Sequence, residues 1–140
     1  MLNLGKMLFE DGVAATLKGD YATAMRLWRP LADQGVASAQ YNLGVMYANG
    51  QGVPQDYATA MSWYRKAADQ GHAYAQNNLG VMYANGQGLP QDYVLAHMWF
   101  SLAASGSNED AVKQRDTIAK KMTPAQIAEA QKLAREWKPK

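Results

Sequence analysis

Three aspartates, Asp20, Asp56 and Asp92, recur along the chain at intervals of 36 residues. Carboxylates brought together in one site can act as general acid and base, so these positions are the first candidates for catalysis. Each aspartate, however, is the first residue of a stretch DYATAM or DYVLAH, and a segment with helical hydrophobic spacing follows it. Aspartate is a preferred N-cap residue, so we expect these carboxylates to begin helices one structural repeat apart.

The two histidines and the glycine-rich loops offer little for metal or phosphate chemistry. His72 is predicted to be a solvated turn residue, and His97 to be partly buried on the surface of a helix pair, with no acidic cluster beside either. The GQG loops at 50–52 and 86–88 lack the preceding strand and the lysine of a phosphate-binding loop. We therefore expect no enzyme activity, no metal and no cofactor.

Composition and charge narrow the remaining functions. Hydrophobic residues make up 48% of the chain, which is ample for a packed core, and the absence of cysteine excludes disulfides and zinc–thiolate sites. The net charge of +2 does not indicate nucleic-acid binding. Basic residues are concentrated in 105–140, which we expect to be a solvated cap, with docking of an acidic partner as the alternative.

No segment approaches the roughly 18–20 apolar residues that a membrane span requires. The N-terminal residues MLNLGKMLFEDG do not resemble a signal peptide, because they lack a long apolar run. The sequence therefore predicts a soluble protein but leaves the compartment open. It is either cytoplasmic, or periplasmic or secreted after removal of a leader.

The chain repeats itself with a period of 36 residues. YNLGVMYANGQGVPQDY at 41–57 and NNLGVMYANGQGLPQDY at 77–93 differ at only two positions. Each period contains two segments with helical spacing, separated by a loop of glycine and proline, which predicts an antiparallel helix pair. Gly44 and Gly80 lie inside a helix, where glycine costs about 1 kcal/mol relative to alanine, so we expect the partner helix to approach closely there. Stacked helix pairs form an α-solenoid.

The hydrophobic pattern predicts an all-α chain with eight helices. They are expected at 4–17, 21–33, 37–48, 56–69, 73–84, 92–104, 108–121 and 124–136. We expect one domain over 1–140, with an irregular first repeat at 4–35, repeats at 36–71 and 72–107, and a C-terminal capping helix pair at 108–140. TPAQ at 123–126 has the residues of a capping box followed by proline in the first turn, which indicates the start of the last helix.

The stretch AQYNLGVMYANGQGVPQDYATAMSWYRKAADQG at 39–71 resembles the Sel-one-like repeat (SLR), a relative of the tetratricopeptide repeat. It contains, in order, the A, LG, Y, GxGV, D, A, WY, AA and G of that family's pattern. The next repeat follows the pattern with Leu89 in place of Val and Phe100 in place of Tyr. The resemblance covers about residues 8–107. It implies a solenoid that binds proteins, with the first helix of each pair lining a concave face.

Residues between the core positions of those first helices are expected to contact a bound peptide. They are Tyr41, Asn42, Val45, Asn49, Tyr74, Asn77, Asn78, Val81 and Asn85. The set lacks lysine and arginine, which argues against binding of acidic C-terminal tails. Asparagine amides can pair with the backbone of an extended peptide. The alternative is structural, because Asn49 and Asn85 could cap helices, and Asn42 and Asn78 could bond between repeats.

The sequence thus predicts a non-enzymatic interaction module that binds a protein or peptide partner. The alternative is a self-associating structural protein, a homodimer or a stacked or swapped solenoid, with Phe9 and Trp137 as candidate contact residues. The aromatic residues that recur in register, such as Trp63 and Trp99, could form a stacking platform for bases. Core packing is the commoner use of that spacing.

Overall fold

The computed structural model describes residues 3–106 and 108–140, which form eight α-helices and no strand. The helices are α1 (Leu4–Leu17), α2 (Tyr21–Asp33), α3 (Ala37–Asn49), α4 (Tyr57–Asp69), α5 (Ala73–Asn85), α6 (Tyr93–Ser105), α7 (Glu109–Ala119) and α8 (Pro124–Glu136). The bounds predicted from the sequence agree with these to within two residues. The prediction of an all-α fold is confirmed.

The recurring aspartates are N-caps, as their positions predicted. Asp20, Asp56 and Asp92 each accept a hydrogen bond from the backbone N–H three residues later, at 3.0–3.1 Å. These bonds satisfy N–H groups that the first turn of a helix leaves free. The carboxylates therefore lie at the starts of α2, α4 and α6, and they do not form a common site.

In each of the first three helix pairs, an aromatic ring of the second helix packs directly against a glycine of the first helix. A Cβ atom at Gly44 would lie 2.6 Å from the ring of Tyr64, and one at Gly80 would lie 2.5 Å from the ring of Phe100. An indole ring covers Gly12 in the same way. Because any larger residue would meet the ring, the glycines are explained by the close approach of the partner helix.

Successive helices from α1 to α7 pack against each other, and α8 packs against α6. Buried glutamines connect the second helix of one pair to the first helix of the next. The Nε2 atoms of Gln40 and Gln76 donate to the carbonyls of Ala32 and Ala68, at 3.1 and 3.2 Å. No helix in the described part of the chain is long and apolar enough to cross a membrane.

The two aromatic residues considered for self-association pack within the chain. Trp137, which follows α8, meets Trp99 edge to face, with ring centroids 6.5 Å apart. Phe9 packs on Trp28, with centroids 5.9 Å apart. Both rings are half-buried and take part in these contacts within the chain.

Candidate functional site

Three pockets lie between neighbouring first helices of the pairs. The first pocket, between α1 and α3, has a volume of about 390 Å³. The middle pocket, between α3 and α5, has about 130 Å³, and the last pocket, between α5 and α7, has about 260 Å³. We call the three together the pocket row.

The three pockets are lined by residues at equivalent positions of the repeat, 36 residues apart in the sequence. Aromatic rings from the second helices contribute to each pocket; they are Trp28, Tyr64 and Phe100. These are the rings that cover the helix glycines. Side-chain amides come from the following first helix; they are Asn42, Asn78 and Gln114. One turn later, a buried apolar side chain completes each set: Met46, Met82 or Ile118. The repetition of the sequence therefore produces a repeated pocket geometry.

The amide of Asn78 lies beside two tyrosine hydroxyls at the middle pocket. Burial raises the pKa of Tyr64 to about 12, and the Asn78 side chain acts in the opposite direction. The same two effects act on Tyr41, where burial again dominates and raises the pKa. The rings of Tyr41 and Tyr64 have centroids 5.8 Å apart. The Asn78 amide therefore acts on both phenols.

Both histidines are more buried than the sequence predicted. His72 is half-buried rather than solvated, and its Nδ1 accepts the N–H of Ala75 at 3.2 Å, which makes it the N-cap of α5. Burial lowers the pKa of the His72 imidazole. His97 is buried rather than partly exposed, with 4% of its surface accessible, and burial lowers its pKa too. The prediction missed this burial because it depends on contacts between repeats.

The structure brings five of the nine predicted contact residues to the pocket row. Asn42 and Val45 line the first pocket, and Asn78 lines the middle pocket. Val81 lines both the middle and the last pockets, and Asn85 lines the last. These five positions therefore lie where one extended ligand could pass.

The other four predicted residues lie outside the pocket linings. Tyr41 is half-buried against neighbouring aromatic rings, and Tyr74 is 64% exposed. Asn49 is exposed at the last position of α3, and the left-handed C-cap that follows it is Gly50. Asn77 is half-buried on α5. These residues flank the pocket row rather than form it.

Sequence reasoning missed the contribution of α7 to the pocket row, because it treated 108–140 as a cap, with docking of an acidic partner at 105–140 as the alternative. Lys113, Gln114 and Thr117 on α7 line the last pocket. They follow Asn77, Asn78 and Val81 by one period, so extending the repeat would have found them. Lys113 adds a positive charge to this face from outside the set of residues that the sequence analysis named.

Two buried polar side-chain atoms on α5 and α7 lack hydrogen-bond partners. Within residues 3–106 and 108–140, Asn77 Oδ1 and Gln114 Oε1 are the buried side-chain atoms without one. Buried polar groups are almost always satisfied, so these two atoms are exceptions in this fold. Both residues lie on first helices of the row. The same parts of the chain contain no group of three or more His, Asp or Glu side chains placed to hold a metal ion.

Antiparallel helix pairs that stack at a 36-residue period define a helical repeat protein of the solenoid class. The family model of the Sel1 repeat matches residues 1–36, 37–72 and 73–108, which is most of the chain. The chain therefore belongs to the Sel1 repeat family, as the resemblance to SLR proteins predicted. Proteins of this family are generally scaffolds for protein–protein interaction.

Two solved structures share this fold. One is a protective antigen of uropathogenic Escherichia coli strains with an SLR fold, 32% identical over 95% of this chain, with a TM-score of 0.90. The other is a Sel1 repeat protein from Oxalobacter formigenes, 32% identical over 79% of this chain, with a TM-score of 0.75. The matched regions span 29% and 45% of those longer chains. No curated protein matches the sequence.

Proposed function

We propose that this protein is a non-enzymatic interaction module that binds an extended segment of a partner protein along the pocket row. The observation that carries the proposal is the recurrence of one pocket at three successive helix junctions. Each pocket combines an aromatic ring, an apolar side chain and an amide. Apolar concave sites with a few polar groups are typical ligand sites.

The spacing of the pockets fits an extended peptide. Packed helices lie about 8–10 Å apart, and an extended chain advances about 3.3 Å per residue. Side chains about three residues apart would therefore enter successive pockets. The ligand's main chain would then run across α1, α3, α5 and α7, within reach of the amides.

The amides supply hydrogen bonds for that main chain. An Asn or Gln side chain has both donors and an acceptor, so it can pair with either peptide group. Asn42 lines the first pocket, which is the largest of the three, and Gln114 has a buried oxygen without a partner. Binding of a peptide would give the Gln114 oxygen the partner that a folded interior normally provides, and the half-buried Asn42 amide could pair with the same main chain.

A displayed library of random peptides, about twelve residues long, provides the test. The wild-type protein is expected to enrich a family of peptides, and the Asn42→Ala/Asn78→Ala double variant is expected to bind them about tenfold more weakly, as loss of two hydrogen bonds predicts. The matched control is Gln34→Ala/Gln131→Ala, which removes two exposed amides away from the row. Unchanged affinity in a folded Asn42→Ala/Asn78→Ala variant would contradict the proposal.

Self-association remains a second candidate because α1 exposes several large apolar side chains. Leu4, Met7 and Leu17 are 65%, 44% and 84% accessible. Large exposed apolar groups on one helix are typical of interaction surfaces. Light scattering distinguishes the candidates: a dimer that forms with rising concentration and is abolished by Leu17→Ser would favour self-association.

A further inference from the structure

We propose that the last pocket receives an acidic side chain of the bound segment, held by the ammonium group of Lys113. The inference rests on the proposed function and adds the chemistry of the partner. The segment would place apolar side chains in the first and middle pockets and a glutamate or aspartate in the last, at intervals of about three residues.

One position of the first helix changes character steadily along the row. It lies three residues before the helix glycine in the regular repeats, and the corresponding residues are Phe9, Tyr41, Asn77 and Lys113. From α1 to α7 this position therefore passes from aromatic to amide to cation. The surrounding residues of the two regular repeats are nearly identical. Phe9, Tyr41 and Asn77 lie outside the pocket linings, so this position contributes a side chain to the row only through Lys113.

Lys113 is the one charged side chain among the residues that line the three pockets. No carboxylate lies within 4.0 Å of its ammonium group in the described parts of the chain, where the nearby Arg115 pairs with Asp116 instead. Asp110, one turn earlier on α7, is exposed and also lies beyond that distance. The positive charge is therefore available to an incoming carboxylate.

The remaining lining fits the stem and the oxygens of an acidic side chain. The rings and methyl groups of Phe100 and Ile118, both buried, can cover the methylene groups of a glutamate. Gln114 adds an amide whose N–H groups can donate to its oxygens, whereas the Thr117 hydroxyl already donates to the backbone carbonyl of Lys113 at 2.8 Å. A segment that follows the row keeps its main chain at the rim, so only a side chain enters the pocket. This geometry favours a side-chain carboxylate over a terminal one.

Selection from two peptide libraries tests the inference. In the first, the random segment is followed by a fusion partner and has no free C-terminus; in the second, it ends in a free carboxylate. We expect the wild-type protein to enrich Asp or Glu at a fixed distance after two apolar residues in the first library. Lys113→Glu is expected to lose that preference. The control is Lys132→Glu, which makes the same charge change at an exposed site on α8.

An enriched peptide then allows a charge-exchange experiment. Replacing its acidic residue by glutamine is expected to weaken binding about fivefold, as for an exposed ion pair. Lys113→Glu should weaken binding similarly, and an acidic-to-lysine peptide should restore binding to that variant.

The outcomes separate this inference from the function on which it rests. The selection could enrich peptides whose binding depends on Asn42 and Asn78 but which show no preference for an acidic residue. This result would overturn the role of Lys113 and leave the proposed function standing. Enrichment in the library with free C-termini alone would replace the acidic side chain by a terminal carboxylate, and so overturn it as well. Failure of both libraries to yield peptides sensitive to the Asn42→Ala/Asn78→Ala change would overturn both proposals.

Discussion

The phenol ring of Tyr41 stacks on the imidazole of His72, with ring centroids 4.9 Å apart. Tyr41 belongs to α3, whereas His72 is the N-cap of α5, so the stack joins two neighbouring repeats. The imidazole accepts a backbone hydrogen bond through Nδ1, which requires that this nitrogen be unprotonated. The cap of α5, which lies beside this stack, therefore depends on a neutral histidine.

This arrangement predicts that acid weakens the N-cap of α5. Burial places the folded-state pKa of His72 below its ordinary value of 6.5, so between these two values the unfolded chain binds more protons than the folded one. The stabilising contribution is therefore complete above pH 6.5 and is lost as the pH falls toward the lowered pKa. Urea unfolding at a series of pH values measures this loss.

The His72→Asn variant isolates the effect. Asparagine keeps an N-cap acceptor but does not titrate, so the free energy of unfolding of the variant is expected to fall less steeply than that of the wild type below pH 6.5. His97, whose pKa burial also lowers, is present in both proteins and cancels in the comparison. Equal slopes for the two proteins would show that the cap does not titrate as described.

Alanine substitutions at two helical glycines are expected to act in opposite directions. At Gly80 a Cβ atom would come within 2.5 Å of the Phe100 ring, and such overpacking costs about 1–3 kcal/mol, more than the helix propensity that alanine adds. At Gly5 the nearest atom would be 3.6 Å away, an ordinary contact. Gly80→Ala should therefore lower the free energy of unfolding, whereas Gly5→Ala should raise it by up to about 1 kcal/mol. Denaturant unfolding of both variants makes the comparison, and destabilisation by both would contradict it.

The helices could be predicted from the sequence because their ends carry local signals. Asp92 begins a helix by bonding a backbone N–H three residues later, and Gly86 ends one in the left-handed conformation, with φ of 67°. The place of α8 could not be predicted, since its packing on α6 depends on which surface remains apolar after the repeats stack. The stack of Tyr41 on His72 was missed for a related reason. It joins residues 31 positions apart that no helical pattern connects.

Removal of the N-cap of α6 should show how much this one cap contributes to the free energy of unfolding. Asp92→Ala is expected to lower the free energy of unfolding by about 1 kcal/mol, because the N–H of Leu95 loses its acceptor. Asp92→Asn is the matched variant, since its side-chain oxygen can accept the same bond and its cost should be much smaller. Denaturant unfolding gives both values. Equal losses in the two variants would assign the effect to the charge rather than to the hydrogen bond.

Asn77 and Asn78, which are neighbours on α5, are expected to differ in their effects on stability and on peptide binding. Asn77 Oδ1 is buried without a partner, and such a group costs about 1–3 kcal/mol, so Asn77→Ala is expected to leave the free energy of unfolding unchanged or higher. Asn78 lies beside the hydroxyls of Tyr41 and Tyr64, so Asn78→Ala should lower it by about 1 kcal/mol.

Peptide binding should respond differently from stability in these two variants. If the unpaired oxygen of Asn77 is retained for a ligand, Asn77→Ala will weaken binding of library-selected peptides while the fold is as stable as before. Stability is often given up at binding sites in this way. Titration of one peptide against both variants, together with denaturant unfolding, supplies the two measurements. A marked loss of stability in Asn77→Ala, with peptide affinity unchanged, would instead make Asn77 a structural residue of the α5–α7 junction.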